Sequence, residues 1–141
     1  MHYVKAFIAG FVSTLVFHQG MLGLMHLADA KVPAPFAMTP TAPLHVPAVI
    51  SLAFWGGVWG IVLWMIIRNM RGASYWAGAA IIGAIAPSAV YWFIVMPLKG
   101  MAVMGGWNPA VFVGALIVNL VWGVGVAIIM RGLNYVMPAT A

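Results

Sequence analysis

The chain has 141 residues, of which 65% are hydrophobic and 5% charged: six Lys or Arg and a single acid, Asp29. A soluble domain is about 25% charged and needs a polar shell that this composition does not supply. With no cysteine and one carboxylate, the chain excludes disulfide, zinc-thiolate and iron–sulfur chemistry, and also catalysis by paired acids.

Four charge-free runs organise the sequence: Ala6 to Leu27, Pro47 to Ile67, Tyr75 to Met96 and Pro109 to Met130. At about 1.5 Å per residue each is about 31–33 Å long as a helix, the thickness of a bilayer's hydrocarbon core. The reading is an all-α integral membrane protein, one domain of four transmembrane helices arranged as two hairpins. The spans fall near residues 4–27, 47–67, 75–96 and 109–130.

The first run ends at Ala28-Asp29-Ala30, which has the small-x-small form of a signal-peptidase site. The apolar stretch before it exceeds the 7–15 residues of a signal sequence, so it reads as a spanning helix. The loop at 28–46 follows. Lys31 to Pro47 holds five of the nine prolines together with Phe36, Met38 and Leu44. Proline fixes φ and biases its predecessor toward extended geometry, so this loop is expected to be stiff, non-helical and laid against the bundle or a partner.

Charge sets the topology. Lys5, Arg68, Arg71 and Arg131 fall on one side of a four-span chain; Asp29, Lys31 and Lys99 fall on the other, +4 against +1. Positive residues in short loops prefer the cytoplasm. Both termini are therefore placed inside, with the loops at 28–46 and 97–108 outside. The same cations are dispersed at segment ends and line no single face, so nucleic acid is not an expected partner.

The two hairpins resemble each other. Pro47-Ala-Val-Ile opens the second span and Pro109-Ala-Val-Phe the fourth; Trp59-Gly60 with Arg68 answers Trp122-Gly123 with Arg131. A two-span unit keeps its orientation, so this pattern suggests a parallel tandem repeat about an axis along the membrane normal. Spans one and three agree more loosely, through Ala6, Ala9 and Gly10 against Ala79, Ala80 and Gly83. Small-xxx-small steps at Ala6–Gly10, Gly56–Gly60, Ala79–Gly83 and Asn119–Gly123 predict close backbone approach, within the chain or between chains.

Chemistry-bearing residues are few. His18 is the one imidazole well inside a span, and an ionisable residue at membrane depth is a functional hypothesis by default. Counting helical rise places His18, Gln19, Ser88 and Asn119 at a common level, near the Gly83 carbonyl freed by Pro87. This polar layer suits a path for a neutral solute or a proton; its structural alternative is an imidazole hydrogen-bonded to Asn119 or to a carbonyl. A second group is the outer concentration of His18, His26 and His45 with Met25 and other methionines, a ligand set for haem or Cu(I). Spacing weakens it, because His18 and Met25 lie about 10 Å apart along one helix. Seven tryptophans complete the inventory, and their expected role is contact with lipid or with helices.

Three runs, Phe17-His18-Gln19-Gly20, Pro35-Phe36-Ala-Met38-Thr-Pro40 and Phe54-Trp55-Gly56-Gly57-Val-Trp59-Gly60, together resemble a group of uncharacterised four-helix membrane proteins of Proteobacteria. The resemblance covers most of the chain and implies this topology in a bacterial inner membrane; it implies no activity. The functional expectation is a small non-catalytic membrane subunit that packs with itself or with a larger membrane complex, of electron-transfer or photosynthetic type. A channel or transporter through the His18 and Asn119 layer, and a haem- or copper-binding protein, are the alternatives.

Overall fold

A computed structural model describes residues 1–137. The C-terminus itself, which the charge count puts inside, lies outside the described residues. Four helices, α1 (His2–Leu27), α2 (Ala48–Ile67), α3 (Ala73–Leu98) and α4 (Pro109–Val136), are each long and apolar enough to cross a membrane. The all-α reading holds. The elements overrun the charge-free runs: α1 begins at His2 and α4 continues six residues past Met130. Arg131 does not stop α4, because its guanidinium lies 4.9 Å from the centre of the Tyr75 ring and 4.8 Å from that of Trp76. Aromatic faces give a cation a favourable place beside the helix.

Each hairpin closes on small residues. A Cβ added to Gly60 would strike the carbonyl oxygen of Ala6 and the Cα of Gly10; one added to Gly123 would strike the carbonyl oxygen of Ala79 and the Cα of Gly83. The four small-xxx-small steps therefore pair within the chain, α1 with α2 and α3 with α4. Such close approach substitutes van der Waals contact for the hydrophobic drive that lipid abolishes. The equivalent residues stand 73 positions apart in the odd helices (Ala6 and Ala79, Gly10 and Gly83) and 63 apart in the even ones (Gly60 and Gly123, Arg68 and Arg131). The ten-residue difference is the difference in loop length, 28–47 against 99–108.

The hairpins meet where α1 crosses α4. Ser13 Oγ donates to the Trp122 carbonyl at 2.7 Å, and Trp122 Nε1 donates to the Gly10 carbonyl at 3.1 Å. Gly125 makes room for Phe17 and Ser13 at this seam. The main core, including Leu63, Ile67, Val126 and Met130, fills the inner half of the bundle. A smaller cluster of Trp92, Met96 and Met104 lies toward the outer end of α3.

Both odd helices widen to a π-turn in their outer halves, at Thr14–His18 and Tyr91–Val95. Local causes are visible: Thr14 Oγ1 donates back to the Gly10 carbonyl at 2.9 Å, and Pro87 brings no N–H to its turn.

The long outer loop is non-helical, as its prolines require. It forms a two-residue antiparallel ladder, β1 (Pro40–Thr41) with β2 (Val46–Pro47). No side chain caps α2; loop carbonyls do, since Thr39 accepts from Ala48 N and Ala37 from Val49 N, both at 2.9 Å. Orphan donors at a helix start must find partners, and here the loop supplies two. In α4 the sequence supplies one directly, with Asn108 Oδ1 accepting from Ala110 N at 3.0 Å.

Candidate functional site

The sequence reading brings His18, Gln19, Ser88 and Asn119 to one level; the structure divides them into two pairs. On α1, Gln19 is 3% exposed. Its Nε2 donates to His18 Nδ1 at 3.3 Å, and its Oε1 accepts from the backbone N–H of Phe36 at 2.6 Å. Phe36 has a positive φ of 55°, the left-handed region that bulky residues rarely occupy. Gln19 thus pins a strained point of the outer loop to the helix. Between α3 and α4, Asn119 Nδ2 donates to the buried Ser88 Oγ at 2.9 Å. Among the described residues no hydrogen bond joins the two pairs. A bond between His18 and Asn119, one of the structural alternatives, is not formed among them; each amide is engaged elsewhere.

The packing glycines are where the sequence pattern puts them. Gly56 and Gly60 face Gly10, and Gly83 faces Gly123. Their close faces are taken up inside the chain, one of the two alternatives that the sequence pattern leaves open.

The His and Met residues of the outer end stay separate. His26 ends α1 with Nδ1 3.4 Å from the Val32 carbonyl, and His45 sits exposed in the turn before β2. Met25 lies near Gly114 of α4. Among the described residues no three His, Asp or Glu side chains come together as an ion-binding group.

Three features escape a linear reading. Lys5 is 2% exposed, and its Nζ donates to Asn134 Oδ1 at 3.5 Å and to the Met137 carbonyl. A cation at a helix C-terminus meets orphan carbonyls and the negative end of the dipole. Its position one turn into an apolar helix was the available signal. The buried Trp92 Nε1 has no partner among the described residues. Finally, His2, Tyr3, Trp64, Arg68 and Asn69 line a cleft of about 300 Å³ at the end of the bundle where the cations collect. Only the tertiary pairing of α1 with α2 puts residues 2–3 beside residues 64–69.

The open surface is aromatic on the first hairpin. Phe11 and Phe7 stack at 6.3 Å, Phe7 meets Phe54 edge-on at 5.8 Å, and Phe54 meets Trp55 at 5.8 Å. Phe54 and Trp55 are half exposed and continue into a groove of about 520 Å³ under Pro43, Leu44 and Val46. No protein-family model matches the chain, and no curated protein or solved structure shows significant similarity to it.

Proposed function

We propose that this chain is a small non-catalytic subunit of a bacterial inner membrane, with both termini on the cytoplasmic side. It packs through the first hairpin against a second copy of itself or a helix of a larger membrane complex. The observation that carries this reading is the linked run of rings Phe11, Phe7, Phe54 and Trp55, which ends on the half-exposed Phe54 and Trp55. Rigid aromatic side chains contribute much contact area at small entropic cost, and they dominate interfaces for that reason. The polar groups support it from the other side. Gln19 is engaged with the loop and Asn119 with Ser88, so both serve the bundle's own cohesion. A path for a solute or proton through His18 and Asn119 is the second reading. It is the weaker one, because it would have to break both pairs.

The chain has no cysteine, so Trp55→Cys gives a single attachment point. A photo-crosslinker placed there, in membranes extracted without detergent, is expected to give one discrete adduct: twice the chain mass for a second copy, or another protein's mass for a complex. A chain that labels lipid alone and runs as a monomer overturns the proposal.

A further inference from the structure

The inner ends of the two hairpins differ in a way that marks a ligand site. Tyr75 and Trp76 of the second hairpin correspond to His2 and Tyr3 of the first, and Arg131 corresponds to Arg68. In the second hairpin the arginine, though exposed, is engaged: its guanidinium lies within 5 Å of both ring centres. Tyr75 is buried with its hydroxyl donating to the Ala127 carbonyl at 3.0 Å, which locks the aromatic bed in place. In the first hairpin the smaller His2 ring is drawn aside to stack on Trp64, at 6.3 Å and 23°. Both rings line the cleft of about 300 Å³. Arg68 stands at its rim, exposed, its guanidinium with no ring contact or side-chain hydrogen bond among the described residues.

The lining gives the ligand's chemistry. It offers the five donors of a guanidinium, the donors of Trp64, Tyr3 and Asn69, and an imidazole, with no carboxylate. The chain's one acid, Asp29, lies at the opposite end of α1. Arginine forks match phosphate oxygens bidentately, and aromatic residues prefer headgroup depth. Basic pockets between helix ends are known hosts for anionic lipid headgroups. A volume of about 300 Å³ is at the lower limit of ligand sites, enough for a phosphate with part of its glycerol.

We infer that the cleft between His2, Tyr3, Trp64 and Arg68 binds a phosphate monoanion, supplied by the headgroup of an anionic phospholipid, and that the Arg131 site of the second hairpin binds none. This inference is independent of the subunit reading above, because it concerns the other end of the first hairpin.

Native mass spectrometry of the intact chain in neutral detergent tests it, with short-chain phosphatidylglycerol, phosphatidylcholine and inorganic phosphate as probes. One phosphatidylglycerol per chain is expected to bind at least tenfold more tightly than phosphatidylcholine. Arg68→Gln should weaken it by about tenfold, the scale of lost charge-assisted hydrogen bonds, while Arg131→Gln changes it less than twofold. Displacement by millimolar inorganic phosphate would support the anion site and assign it to free phosphate; resistance to displacement supports the lipid. Should Arg68→Gln fail to fold, His2→Leu reads the same cleft. Equal binding of the two lipids, or equal loss in folded Arg68→Gln and Arg131→Gln, overturns the inference.

Discussion

In the first hairpin Gly60 lies against Gly10 and the Ala6 carbonyl, and in the second Gly123 lies against Gly83 and the Ala79 carbonyl. The two centres are made by the same contact, yet the ends are not. The first hairpin has the longer loop, the linked rings of Phe11, Phe7, Phe54 and Trp55 and the cleft beside Arg68; the second stacks its arginine on two rings and buries Tyr75. Backbone contact is geometrically demanding and tolerates only small residues. Helix ends face lipid headgroups or water and tolerate many. The difference teaches that the centre of each hairpin builds the bundle, and that function is to be sought where the hairpins diverge.

The severest test of the shared centre is Gly60→Leu beside Gly123→Leu. In each the new side chain meets neighbouring backbone, which cannot turn aside, so each should destabilise the bundle by at least about 3 kcal/mol in denaturant unfolding. A large effect in one hairpin and none in the other would break the equivalence. The tryptophans sharpen it next. Trp122→Phe removes the donor to the Gly10 carbonyl and should cost about 1 kcal/mol. Its counterpart Trp59 makes no side-chain hydrogen bond among the described residues, so Trp59→Phe should cost less than half of that.

Gln19→Leu frees Phe36 N–H and should raise hydrogen exchange across residues 30–46 while the helices stay protected. Asn119→Leu should leave that loop unchanged and weaken the α3–α4 contact by about 0.6–1.7 kcal/mol. His18→Ala should resemble neither, since its one bond is to its own neighbour. Arg131→Gln should cost about 0.5–1 kcal/mol, as for an exposed cation over two rings, and the smallest effect is expected from Arg68→Gln, which should leave stability unchanged.

Much of this was legible without coordinates. Charge-free runs gave the four helices, and the small-xxx-small steps marked the backbone contacts within each hairpin, though not Gly125 at the seam between them. The prolines of the outer loop foretold a stiff, non-helical strap, because φ is fixed within the residue itself. The polar layer shows what depth leaves open. Equal depth, the quantity that helical rise supplies, put His18 and Asn119 level; rotation about the helix axes decided that one side chain turns to Gln19 and the other to Ser88.

Lys5 illustrates the same limit. Its charge and position along α1 were plain, while its burial against the end of α4 depends on a helix that begins over a hundred residues later. By itself the sequence determined what lipid and the peptide bond dictate residue by residue: which stretches are long and apolar enough to cross a membrane, and which faces are small enough to touch. Tertiary structure alone decided who touches whom. It paired the four small faces within the chain, consumed Gln19 and Asn119 in cohesion, and left Arg68 beside an open cleft while stacking Arg131 on two rings. Those choices rest on the relative rotation of packed helices, which no local spacing encodes.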